Sequence, residues 1–97
     1  MEHLIDSDAF RQRPSDCVAR AAAGERFIVC CYGRPVALLG PRAGDDPSLR
    51  LSATALWRTS RRALALARCQ PVLITWRGQA LAVLRPVPRD VAWAWAS

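Results

Sequence analysis

The sequence predicts an α+β domain made from a β-α-β-β unit that occurs twice, with helices packed on an antiparallel sheet. Three observations carry this. Residues 26–41 (RFIVCCYGRPVALLGP) and 71–86 (PVLITWRGQALAVLRP) align without a gap at a spacing of 45, which sets Gly33 on Gly78 and Pro41 on Pro86. Each stretch reads as strand, tight turn, strand, with β-branched and aromatic residues on both arms. Upstream of each lies a short apolar strand and then a helical apolar pattern, in which Phe10 falls on Leu56 at a spacing of 46. A repeat at this period marks one supersecondary unit used twice. Half of the 97-residue chain is too small to bury a core alone, so the halves share one. The expected organisation is a single domain over 1–97, with repeat 1 at 1–41, a linker at 42–50, repeat 2 at 51–86 and an apolar tail at 87–97.

In the first repeat, Leu4 and Ile5 supply a short strand. Ser7 is the expected N-cap, aligned with Ser52 of the second repeat, and Asp8 complements the positive helix end. Phe10, Cys17, Val18, Ala21 and Ala22 form the apolar stripe. Pro14 either opens the main helix or bends it, because an internal proline removes a hydrogen bond. One helical unit with a distorted first turn is the preferred reading. Gly24 closes it with a left-handed cap. The hairpin turns near Tyr32-Gly33, and Pro35 marks a sheet edge or a strand start. Two prolines, a glycine and two aspartates then make 41–50 (PRAGDDPSLR) a linker.

The second repeat has no proline before Pro71, so its helix is expected to be uninterrupted, capped by Ser52 or Thr54. Leu56, Ser60, Ala63, Leu64 and Ala67 share its inner face, and Arg58, Arg61, Arg62 and Arg68 lie off it. Trp57 is placed at the core edge. Trp76 stands exposed at the Trp76-Arg77-Gly78 turn. The tail reads VPRDVAWAWAS, and as a strand it sets Val91, Trp93 and Trp95 on one face. Such a tail either anchors a partner or folds back on its own sheet or helices.

An apolar content of 52 % argues against disorder. No apolar run reaches the ~18 residues of a spanning helix, and Met1-Glu2-His3 does not open a signal peptide. A cytoplasmic protein without a membrane partner is expected. All 14 basic residues are arginine, giving a net charge of +6. Acids and arginines balance over 1–41, within the linker and within the tail, so the excess falls on 51–86, which contains no acid. A one-sided cationic field points to a polyanion, nucleic acid before membrane. The cysteines include no C-x-x-C, and His3 is the one histidine, in a terminus expected to be mobile. No metal and no cofactor are expected. Nor is an enzyme: there is no nucleophile-and-base spacing and no glycine-rich phosphate loop.

The string Ser7-Asp8-Ala9-Phe10-Arg11, a helix ending in Gly24-Glu25, and Gly33-Arg34-Pro35-Val36-Ala37-Leu38-Leu39 with Pro41 resembles the prevent-host-death (Phd/YefM) antitoxins. The second copy is similar at Ser52-Ala53-Thr54-Ala55-Leu56 and at Arg77-Gly78-Gln79-Ala80-Leu81-Ala82-Val83-Leu84. At the position of Arg11 it carries Trp57, with Arg58 one later. The resemblance implies a tandem version of the family's N-terminal domain, in which one chain forms an intramolecular pseudo-dimer, alone or as a dimer of such chains. It also implies a repressor of its own operon that binds operator DNA and a cognate toxin protein. Arg11, Arg13, Arg58, Arg61 and Arg62 are the expected DNA-binding residues, since the arginine fork suits phosphates and guanine edges. Val91, Trp93 and Trp95 are the expected partner-binding residues.

Overall fold

A computed structural model describes residues 2–42, 44 and 47–87. The described residues form six strands and four helices. These are β1 (Glu2–Asp6), α1 (Ser7–Gln12), α2 (Pro14–Ala22), β2 (Arg26–Cys31) and β3 (Arg34–Pro41), then β4 (Arg50–Ser52), α3 (Ala53–Arg58), α4 (Ser60–Ala67), β5 (Val72–Trp76) and β6 (Gln79–Arg85). The same strand–helix–helix–strand–strand order thus appears twice.

The strands form one sheet in the order β1-β2-β3-β6-β5-β4, which reads alike from either edge. The expected antiparallel sheet is corrected to a mixed one. The hairpins β2–β3 and β5–β6 are antiparallel, but β1 pairs parallel with β2, and β4 with β5. The reason is the helical crossover between the paired strands, which returns the chain in its starting direction.

The halves meet at the β3–β6 ladder. Leu39 pairs with Leu84, its own counterpart at a spacing of 45, and the flanking pairs Leu38–Arg85 and Gly40–Val83 exchange into each other under that shift. A self-complementary ladder of this kind places an approximate two-fold axis between Leu39 and Leu84, the arrangement of an isologous dimer interface.

Burial repeats as well. Ser7, Phe10, Pro14, Cys17, Val18 and Ala21 are the buried positions of α1 and α2. A shift of 46 turns them into Ala53, Leu56, Ser60, Ala63, Leu64 and Ala67, the buried positions of α3 and α4. These side chains close on Phe27, Val29, Ala37 and Leu39 from one half and Val72, Ile74, Ala82 and Leu84 from the other, giving one core cluster. Ala22, expected in the stripe, is exposed instead.

Both helical units are broken. In the first the helices part at Arg13 (φ −137°, ψ 55°), with Pro14 as the opening residue of α2. In the second, expected to run uninterrupted, they part at Thr59 (φ −132°, ψ 41°), the equivalent position, without a proline. Backbone bonds continue across each break, from Arg13 N–H to Ala9 O at 3.2 Å and from Thr59 N–H to Ala55 O at 2.9 Å. The Thr59 hydroxyl also donates to Ala55 O at 2.7 Å, a back-bond of the kind that bends helices. Pro14 and Ser60 occupy the same place, so both units break there while each seats two short helices on the shared core. Proline is compatible with the break rather than its cause.

The cap positions also move by one. Asp6, not Ser7, caps α1 by accepting from Asp8 N–H at 3.0 Å, and Ser7 is the buried first helical residue. In the second half the cap is Ser52, which accepts from Ala55 N–H at 3.1 Å. Thus Asp6 and Ser52 are the equivalent pair. Gly24 (φ 114°) makes the expected left-handed cap: its N–H donates to Ala21 O at 3.0 Å, and Glu25 N–H to Arg20 O at 3.1 Å. Pro35 sits at the start of β3, opposite Cys30 and beside a bulge, so the strand-start reading holds on a central strand.

His3 is tied down rather than mobile. Its Nε2 lies 2.8 Å from Glu25 Oε1, and its ring is 5.2 Å from that of Phe27. Arg20 clasps Glu25 with two donors at 2.8 Å each, which holds the Glu25 carboxyl at about 2, well below the usual carboxylate range. No helix among the described residues is long and apolar enough to cross a membrane.

Candidate functional site

The two-fold relation brings each half's first helix toward the other half's second helix, which creates two equivalent grooves. The smaller, about 190 Å³, is lined by Ser15, Val18 and Ala19 of α2, Ala53 and Trp57 of α3, and Trp76 and Leu81 of the second hairpin. The larger measures about 510 Å³ and lies between α1, the tip of the first hairpin and α4. Every residue of the smaller groove has its repeat counterpart in the larger: Arg61, Leu64, Ala65, Ser7, Arg11, Cys31 and Val36 in the same order. Asp6, Asp8, Tyr32 and Arg68 complete the larger one.

Two substitutions account for the difference in size. Trp57 stands where the first half has Arg11, and Trp76 where it has Cys31. The two indoles stack at 5.9 Å between centroids and 37° between planes, and the Arg77 guanidinium lies 5.4 Å over the Trp76 ring. Aromatic stacking and a cation above the ring are both favourable. The rings close the groove beside the packed α2–α3 pair. Trp57, expected at the core edge, is exposed at 42 % and outside the core cluster, and Trp76 is exposed at the turn as expected, at 39 %, but paired with Trp57 rather than alone.

In the larger groove Arg11 is ion-paired with Asp8 one turn away, and Asp6 spends a carboxylate oxygen on the α1 cap. Arg61 on α4 and Arg68 at its C-cap, seven residues apart, face them from the opposite wall. The groove therefore has an acidic wall with one neutralised arginine, a cationic wall, and an apolar floor of Val36, Leu64 and Ala65. Cys30, next to it on β2, has its thiol pushed up by burial and then by the Asp6 charge, so it is a poor thiolate nucleophile. The cysteines are free thiols, and the described residues contain no cluster of metal-ligating side chains.

The arginines expected to bind DNA fall into two groups. Arg58, Arg61 and Arg62 are exposed together around the α3–α4 break, and among the described residues no ion pair engages them. Arg13 is exposed at the equivalent break in the first half. Arg11 does not join that surface: it lines the groove, partnered by Asp8. Val91, Trp93 and Trp95 lie outside the described residues. The groove itself escaped the sequence reading, although the alignment holds its signal in the exchange of Arg11 for Trp57 and Cys31 for Trp76. Comparison of the chain with protein-family models, curated proteins and solved structures finds no match.

Proposed function

We infer that this chain is a DNA-binding antitoxin of the Phd/YefM kind, with two copies of the N-terminal unit joined as an intramolecular pseudo-dimer. In this reading it represses its own operon in the cytoplasm and binds a cognate toxin protein, with Val91, Trp93 and Trp95 as the contacts. The observation that carries the DNA part is the cationic cluster at the α3–α4 break. Arg58, Arg61 and Arg62 project from a half that contains no acid, whereas the ion pairs of His3, Arg11 and Arg20 lie in the first half. Unpaired guanidiniums on a short helical bend suit phosphate contacts, and such contacts release counterions. The self-complementary β3–β6 ladder supports the pseudo-dimer, because an isologous dimer of one copy would pair that strand with itself.

Fluorescence anisotropy on the chain's own upstream DNA and on a scrambled duplex, at two salt concentrations, tests this. Tighter binding to its own DNA is expected, weakened by Arg58→Ala with Arg62→Ala. Losing two phosphate contacts lowers the slope of log affinity against log salt by about 2. Unchanged affinity and slope in the double variant would remove the assignment.

A further inference from the structure

We propose that the larger groove is a docking site for an acidic peptide segment that carries an aromatic side chain, supplied by a partner protein. The molecule contains its own precedent. In the smaller groove the equivalent cradle of Leu81, Val18 and Ala19 receives two indole rings. The larger groove keeps a floor of the same kind in Val36, Leu64 and Ala65, at about 510 Å³ against about 190 Å³. An aromatic side chain inserted from outside covers that floor as the half-exposed Trp57 and Trp76 cover its equivalent from inside. Tyr32, 97 % exposed at the hairpin tip, stands at the rim as a further apolar surface.

Charge selects the rest of the ligand. On the α4 wall Arg61 and Arg68 have no equivalents of like charge: Ser15 and Ala22 occupy their places in α2. Two guanidiniums seven residues apart, one on α4 and one at its C-cap, recognise carboxylates on either side of the aromatic residue. The opposite wall disfavours a nucleic-acid backbone, because Asp6 and Asp8 line the groove and would repel phosphodiesters. A peptide places its backbone N–H groups against those carboxylates instead.

The inference shares Arg61 with the DNA reading, but the two positions varied in its test, Ala65 and Arg68, lie outside the cluster assigned to DNA, so the two can fail separately. The probe is a fluorescein-labelled Gly-Glu-Phe-Asp-Gly peptide titrated with the full chain. Saturable binding is expected, weakened about tenfold by Arg68→Glu, by Ala65→Trp, which fills the floor, and by replacing the peptide phenylalanine with alanine. Both protein changes are at exposed positions, so an unchanged thermal midpoint confirms the fold. No saturable binding overturns the proposal, as does equal binding by all three proteins. It is overturned too if a scrambled DNA duplex displaces the peptide and Ala65→Trp weakens duplex binding in parallel, because the groove would then belong to a nucleic-acid surface.

Discussion

Replacing Leu39 with alanine tests whether the halves share one core. Leu39 and Leu84 face each other across the β3–β6 ladder, 1 % and 0 % exposed, and both belong to the core cluster. Each reaches helices of both halves through that cluster, so neither half can accommodate the loss alone. Removing a buried leucine side chain costs its transfer free energy and leaves a cavity, together about 3 kcal/mol where the surroundings do not collapse. A domain of this size has a stability of roughly 5–15 kcal/mol, so the loss is a large fraction of the total. It lowers the melting temperature by about 12–24 °C, at 4–8 °C per kcal/mol for a chain of this length.

Urea unfolding followed by far-ultraviolet circular dichroism and by tryptophan fluorescence reads this out. The unaltered chain should show one transition, coincident by both probes, that moves as a unit in Leu39→Ala. The tryptophans of the described residues lie in the second half, so the fluorescence transition must move although the substitution is in the first. Leu84→Ala should cost a similar amount. The double variant departs from additivity by about 1 kcal/mol, as expected of side chains sharing one cavity. A fluorescence transition that stays in place while the dichroism transition splits would refute the shared core and the two-fold ladder with it.

Other outcomes follow from local chemistry. Tyr32 has φ 52° and is nearly fully exposed, so Tyr32→Asn relieves left-handed strain at no cost in contacts; a gain of about 1 kcal/mol is expected by urea unfolding. The Arg20–Glu25 pair makes stability depend on acid. The Glu25 carboxyl titrates at about 2 in the folded chain and at about 4.3 when unfolded, so its contribution is whole above the unfolded value and is lost as pH falls through the folded one. The gap in stability between the unaltered chain and Glu25→Gln should therefore close between about pH 4.3 and pH 2. A gap of constant size down to pH 2 would remove the ion pair as its cause. Trp57→Ala breaks the indole stack and uncovers the floor of the smaller groove, for an expected loss of about 1–2 kcal/mol, with α3 retained in the dichroism spectrum.

Much of the fold was legible because burial imposes period. The inner face Leu56, Ser60, Ala63, Leu64 and Ala67 follows from helical spacing alone, and all five are buried. The hairpins followed from glycines in register, and both turns use the mirror-type geometry with positive φ at Tyr32-Gly33 and Arg77-Gly78. The break at Thr59 was not legible, because no residue there forbids a helix; it comes from tertiary seating, which local propensity does not record. The cap was misplaced by one residue because Asp6 and Ser7 are both good capping residues, and only the fit of Ser7 into the core decides between them. The grooves were hidden for another reason. They exist between elements far apart in sequence, and the arrangement across the two-fold axis sets α1 against α4 and α2 against α3.

Carrying both halves in one chain has a consequence that a symmetric dimer cannot have. In a homodimer every substitution is made twice, so a residue that closes one interfacial groove closes the other. Here the equivalent positions are encoded separately, and they differ where the grooves differ: Arg11 against Trp57, Cys31 against Trp76, Ser15 against Arg61. The buried core positions differ little, as with Leu39 and Leu84, Ala37 and Ala82, or Ala21 and Ala67. Differences at the grooves with sameness in the core fit packing that constrains one set of positions and not the other; on the ladder itself Gly40 answers to Arg85. The net charge divides the same way, with balanced acids and arginines in one half and arginines alone in the other. A polyanion therefore meets a molecule that is two-fold in its backbone and one-sided in its field. The closed groove adds stability through its indole stack, and the open one leaves two guanidiniums above an apolar floor.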